Sequence, residues 1–348
     1  MIIIVFLGTI YQGELGLYLA QKTYFSSWIY WLFFIPLPAG RLLMLLIFIN
    51  LFFLLFRKTL WRYKKLGILI VHFGALLLFL GGGITAYFSY EGRMIIKEGE
   101  SSDYIEDYYI KELAIIPSDA PSIIFNQEQL LEFDNRELSY NNVNFQISVL
   151  SFLINSKPIH RMEKCDECRG SFSSFQLVDL APDKEFEQNN SAIIFKIQGI
   201  GEHIDGVYAS MLFENNHNQL VIEDQSITIL LRPKRTIIPF KIKLIDFKEV
   251  LHPGTGIAKS YSSDIILNSQ DLERKAIISM NEPLRHHEYT FFQSSFNRSG
   301  TTEYSTFAVV KNYGRMFPYI SSIIMCIGLL LHLIIIFSSR VKSVKVRL

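Results

Sequence analysis

Two runs of this chain hold no Asp, Glu, Lys or Arg over 23 residues each: Leu66–Phe88 (LGILIVHFGALLLFLGGGITAYF) and Phe317–Ser339 (FPYISSIIMCIGLLLHLIIIFSS). A helix of about 20 apolar residues crosses the hydrocarbon of a bilayer, so both runs read as membrane-spanning helices. Leu42–Phe56 (LLMLLIFINLFFLLF) is a third apolar run, 15 residues long. It reaches spanning length if Arg41 and the aromatic stretch Trp28–Ile35 before it contribute. The N-terminal MIIIVFLGTI is apolar over ten residues. It lacks the basic leader and small-residue cleavage site of a signal peptide and reads as a short first span.

Charge sorts by position. The whole chain carries +1. Outside residues 89–316 there are 11 Lys and Arg against one acid, Glu14, whereas residues 89–316 hold 23 basic and 32 acidic residues. Near-neutrality is thus a cancellation of +10 against −9. The basic segments RKTLWRYKK (57–65) and RVKSVKVRL (340–348) both adjoin spans. The positive-inside rule places them in the cytoplasm. The expected layout has a short first span and outer loop in 1–28. Spans two and three lie in 29–88, around the loop 57–65. The extracytoplasmic insert is 89–316, the last span 317–339 and the cytoplasmic tail 340–348. A negative outer domain argues against nucleic-acid binding. A charged fraction of 19%, below the roughly 25% of soluble domains, follows from the uncharged spans, and the composition excludes a disordered chain or a disulfide scaffold.

From about residue 140 the insert turns to short alternating runs, such as VNFQISVLSFLI (143–154), TIIPFKIKLIDF (236–247) and EYSTFAVVK (303–311), separated by NN, PD, PGTG and NRSG turns. Alternation of period two marks half-buried strands. About ten of them predict an all-β, sandwich-like domain. Residues 89–140 are more acidic and less regular, and read as a linker or a first strand pair around Arg93–Glu98. The fold class is therefore an α-helical membrane protein of about four transmembrane helices with a large all-β, sandwich-like extracytoplasmic domain.

Candidate chemistry centres on histidine and cysteine. His72 sits seven places into the third span, about 10 Å deep at the helical rise. An imidazole in hydrocarbon marks function or a partner, and neutral His is an axial haem ligand; hydrogen bonding to a neighbouring helix is the other reading. His332, eight residues before Arg340, has a similar expected depth. The two could share one iron, each pair with a ligand on another subunit, or pack. Cys165 and Cys168 form a C-x-x-C in HRMEKCDECRG. It reads as a local disulfide, a redox dithiol or, with His160, part of a metal site that lacks the fourth ligand of structural zinc. No His follows Cys168, so it is not a haem-attachment motif. His252, His286 and His287 fall on turns and read as solvated. Cys326 reads as packing, as does the GGG of 81–83, which lies inside a span and is no phosphate loop. No catalytic residue is assigned.

Several segments together resemble one family. LGTIYQ (7–12), IPLPAGRLLMLLIFINL (35–51), HFGALLLFLGGGITAYFSYEGRMIIKEGE (72–100), HPGTGIAKSYSSDIIL (252–267), ISMNEPLRHHEYTFFQSSF (278–296) and GRMFPYISSIIMCIGLLLHLIIIF (314–337) are similar, in order, to the ResB (CcsB) family of system II cytochrome c biogenesis. The resemblance implies a bacterial cytoplasmic (inner) membrane protein, with the plastid thylakoid as the alternative. It implies a non-autonomous subunit of a haem lyase (cytochrome c synthase). With a CcsA/ResC partner such a subunit exports haem b, held transiently and shared between the two, for attachment to apocytochrome c. His72 matches the family's transmembrane haem ligand. The partner carries a Trp-rich haem-handling motif; Trp28, Trp31 and Trp61 are scattered here, which implies that the partner is a separate polypeptide. The C-x-x-C is not part of the family pattern. Two other functions compete: a non-catalytic membrane scaffold or receptor with a β-sandwich ectodomain, and a thiol-redox membrane protein using Cys165 and Cys168.

Overall fold

The computed structural model describes residues 1–345 apart from 33, 59, 119–120, 132–135, 141–142, 213–217, 223–224, 256–257, 270–271 and 301. The chain opens with helix α1 (Ile2–Leu15), broken at Gly16 with φ 81°, then a short α2 (Leu17–Ala20) and a π-helical turn over Gln21–Phe25. A hairpin of β1 (Ile29–Leu32) and β2 (Ile35–Pro38) leads into α3 (Gly40–Leu55), and α4 (Leu66–Phe88) follows the basic loop. The stretch Trp28–Ile35 therefore does not extend the second span. Pro36 and Pro38 lack the N–H a helix needs, and the segment pairs Ile29 with Pro38 instead. Among the described residues two helices are long and apolar enough to cross a membrane, Tyr63–Phe88 and Phe317–Ser338. With 14 and 16 residues, α1 and α3 reach only about 21 and 24 Å, short of a hydrocarbon core of about 30 Å.

The insert begins with β3 (Tyr90–Lys97), β4 (Ser101–Pro117), β5 (Ile123–Asn126), α5 (Gln127–Leu131), β6 (Arg136–Tyr140) and β7 (Val143–Leu153). Then come β8 (Ser156–His160), β9 (Phe175–Asp179), β10 (Ala192–Gln198), β11 (Gly206–Met211), β12 (Asn218–Ile222) and β13 (Gln225–Leu251). It closes with β14 (Ala258–Ser269), β15 (Leu272–Ser279), β16 (Leu284–His286), β17 (Tyr289–Ser299) and β18 (Thr302–Lys311), before α6 (Phe317–Lys345). Within residues 89–140 the first strand pair expected around Arg93–Glu98 is present as β3 and β4, and not a linker; both strands are central in a ten-stranded antiparallel sheet that runs β15-β14-β13-β4-β3-β18-β17-β16, with β12 beside β13 and β5 beside β4. The acids of β4 hid it from pattern reading, because several of them are paired with arginines of the neighbouring strands.

One sandwich does not describe this domain, because it has two main cores. In the first, a four-stranded sheet β11-β10-β7-β6 packs its Ile193, Phe195 and Ile147 against Leu113, Ile115 and Ile229 of β4 and β13. In the second, the large sheet curls until β15 approaches β16 and β17, enclosing Met94, Ile105, Ile242, Phe291 and Phe307. The 27-residue β13 and 17-residue β4 run through both.

The helix pair is tied to the domain through adjacent strands. α4 passes into β3, β18 passes into α6, and β3 pairs with β18 from Tyr90↔Lys311 onward. At the joint the Thr85 hydroxyl donates to Asn312 Oδ1 at 3.1 Å, and Gly314 N–H to the same oxygen at 2.7 Å. Below it α4 and α6 run antiparallel along a seam of small residues seven apart. Gly67, Gly74 and Gly81 of α4 face Gly328, Ser321 and Phe317. A Cβ on Gly67 would lie 2.5 Å from both Gly328 O and His332 N, so the backbones touch. Lipid offers no hydrophobic drive for helices to associate, and close backbone packing takes its place. Within GGG only Gly81 packs; Gly82 and Gly83 face open space. Gly67→Ala should therefore lower the stability of the detergent-purified chain by about 1–3 kcal/mol, as overpacking does. Gly83→Ala should be neutral or slightly stabilising; thermal unfolding of the two variants checks the contrast.

Candidate functional site

Helix α4 displays His72 on the side away from α6. His72 is five residues from Gly67 and two from Gly74, which places it roughly 140–160° round the helix from the seam. Its Nδ1 lies 2.8 Å from the carbonyl oxygen of Ile68, one turn back. A carbonyl only accepts, so Nδ1 carries the proton and, in a neutral imidazole, Nε2 carries the lone pair. The ring is half-buried. Gly83, about three turns along and on the same side, leaves space that no described residue fills.

His332 has a different setting. Its backbone lies against Gly67, in the seam itself, and its Nδ1 is buried with no hydrogen-bond partner among the described residues. The two histidines are not level, contrary to their counted depths. Because α6 begins opposite Gly81 and not opposite Phe88, His332 sits beside Gly67, about 7.5 Å short of His72 along α4. The fold does not bring them together on one face.

Cys165 and Cys168 are joined in a disulfide on the loop between β8 and β9, with Cα atoms 5.3 Å apart. Cys168 is buried against Phe172 and Ala209, and Cys165 is half-buried at the edge of that cluster. His160 is exposed at the end of β8. Among the described residues no three His, Cys, Asp or Glu side chains are grouped so as to hold a metal. His252 is exposed on a turn, while His286 is half-buried against Phe240 and His287. Burial, His287 and Arg274 hold the His286 imidazole below its usual range. Cys326 faces outward from α6.

A family model, ResB-like family, matches residues 61–118 and 203–305. Over these two segments the chain is similar to the ResB-like family. It is similar to Protein NrfI of Wolinella succinogenes, 24% identical over 290 residues that make up 82% of this chain and 29% of that protein, so the chain spans less than a third of the relative's length. In this ResB-like chain His72 lies inside the first matched segment, and the Cys165–Cys168 loop and His332 lie outside both.

The matched segments also meet in a charged waist that the sequence did not reveal. Between the two cores, β4 and β13 lose register, with Lys111 opposite Pro233 and Glu106 opposite Arg235. The extra residues of β4 fold over Asp107, whose Oδ1 accepts from the N–H groups of Tyr109 and Ile110 at 2.8 and 2.9 Å. Arg232 Nε meets Glu112 Oε1 at 2.8 Å, and Arg235 Nη2 meets Glu106 Oε1 at 3.1 Å. Arg93 lies 3.7 Å from Glu106, and its Nε has no hydrogen-bond partner among the described residues. Breaking a buried pair leaves a charge uncompensated and is more damaging than the pair is stabilising. Lys111 is 6% exposed and donates to the Tyr108 carbonyl at 2.9 Å.

Burial and the nearby Arg93 lower the Lys111 ammonium to about 8. The unfolded chain, with an ordinary lysine, then binds more protons than the folded chain above that pH. Stability should rise from about pH 8 to about pH 10. Burial pushes Tyr90 and Tyr109 up to about 12, which reverses the slope above their ordinary value of 10. Lys111→Met should flatten the rise between about pH 8 and 10, as read from denaturant midpoints across that range.

Proposed function

We propose that this chain works in cytochrome c biogenesis as a membrane subunit that holds haem b through His72 and presents it to a CcsA/ResC-like partner. The observation that carries the reading is the state of His72. Its Nδ1–H is satisfied within α4, its Nε2 has no hydrogen-bond partner among the described residues, and it lies on the helix face that α6 leaves uncovered. A neutral imidazole in apolar surroundings is the donor that haem iron takes axially, so the residue fits the cargo. A histidine of the partner on that uncovered face would supply the opposite ligand. His332, turned into the seam and offset from His72, acts in helix packing in this reading.

The β-domain stands at the end of the helix pair where α4 and α6 enter β3 and β18. In the proposed layout that end is extracytoplasmic, in a bacterial inner membrane, where the domain receives apocytochrome c. Haem attachment needs two client thiols held close to the vinyl groups of the macrocycle, a positioning task that rigid paired strands suit.

The test is the Soret absorbance of the chain purified with its CcsA/ResC-like partner. His72→Ala should remove haem from that site, His332→Ala should retain it, and imidazole added to His72→Gly should restore the band. An unchanged haem content in a folded His72→Ala complex would overturn His72 as the ligand.

A further inference from the structure

The disulfide between Cys165 and Cys168 closes a ring of only four residues. Such a ring restricts the unfolded chain far less than one that ties remote segments, so it contributes little as a staple. The loop is also held without it. Val207 N–H donates to the Glu167 carbonyl at 2.8 Å and Arg169 N–H to the Val207 carbonyl at 2.9 Å. The Arg169 guanidinium donates to the carbonyls of Asp166 at 2.6 Å and of Glu202 at 3.3 Å. Gly206 admits the loop closely, since a Cβ there would lie 2.5 Å from Glu167 O. Four hydrogen bonds, two of them from the Arg169 guanidinium, therefore hold the loop besides its covalent bond.

The two cysteines differ in exposure. Cys168 is 7% exposed against Phe172 and Ala209, while Cys165 is partly open. Asp166 and Glu167 between the cysteines are countered by Lys164, Lys196 and Arg169, so exposure and not net local charge separates the pair. Met162, 97% exposed, stands three residues before Cys165 as an apolar contact for a docking chain. The loop lies outside both segments shared with the ResB-like family, so its chemistry is additional to what the family fold provides.

We propose that Cys165–Cys168 is a redox-active disulfide that accepts two electrons from a protein dithiol on the same side of the membrane. A thiolate of the donor attacks Sγ of Cys165. The Cys165–Cys168 bond breaks, its electron pair leaves on Cys168 Sγ, and that sulfur takes up a proton. The donor's second thiol gives up its proton and attacks the donor sulfur of the mixed disulfide. Cys165 leaves as a thiolate and is protonated in turn. The donor ends as a disulfide, and the Cys165–Cys168 pair ends as a dithiol.

The test uses the full chain in detergent, without haem, so that it succeeds or fails separately from the role of His72. Dithiothreitol is the probe dithiol and Ellman's reagent the probe disulfide. Graded ratios of reduced to oxidised dithiothreitol should interconvert the pair reversibly, releasing two thiols per chain in addition to that of Cys326, with an unchanged circular dichroism spectrum. In a Cys326→Ser background, Cys168→Ser, which leaves the more exposed cysteine, should react with Ellman's reagent about ten-fold faster or more than Cys165→Ser. A bond that resists excess dithiothreitol in the folded chain, unfolding on reduction, or equal rates for the two variants would each overturn the proposal. If a variant does not fold, the titration of the wild-type chain decides alone.

Discussion

The backbone contact between α4 and α6 is the constraint on which the rest depends. Gly67 and Gly328 approach until no Cβ fits between them, and the same seam continues through Gly74 against Ser321 and Gly81 against Phe317. Because the helices are this close where they leave the apolar stretch, β3 and β18 start as neighbours and pair at once, Tyr90 with Lys311. That pair is the middle of the ten-stranded sheet. The seam also decides which side of α4 is occupied, and so which side His72 is left on.

The outer domain meets a second constraint, which is polar. Two strands long enough to serve two cores must cross the gap between them, and there the backbone has no apolar layer to bury. Arg93, Glu106, Glu112, Arg232 and Arg235 fill that gap as paired charges, and Asp107 caps the displaced turn of β4. Burying paired charges is seldom a net gain in stability. Their effect is to set the register: Arg232 reaches Glu112 and Arg235 reaches Glu106 only in the alignment observed.

Much of this was legible in the residues. The run Leu66–Phe88 is helical over those same residues, and Phe317–Ser339 lies within α6, because an uncharged stretch of that length has one stable form in lipid. The alternating runs 143–154 and 303–311 became β7 and β18. Residues 101–117 were less readable. Their apolar positions are interrupted by acids whose partners stand more than a hundred residues away on β13. The turn of Trp28–Ile35 into a hairpin, away from the second span, followed from Pro36 and Pro38, whose effect on pairing depended on where the chain returned. The seven-residue spacing of Gly67, Gly74 and Gly81 was visible in the sequence, but only the matching positions on α6 gave it meaning.

For the candidate site the division is similar. Residue chemistry alone set two of the eight histidines in apolar helices, a C-x-x-C in the insert, and the split of charge between helices and insert. These are local properties, set by residue chemistry and the cost of burying charge. Tertiary structure decided that His332 enters the seam while His72 stays off it, and that the two are offset along the helices. It decided that Cys165 and Cys168 are bonded, with one residue more exposed than the other. The reason is physical: access, facing and level depend on how one helix is shifted against another and which strand a loop lies on. Those quantities arise from contacts between residues far apart in the chain.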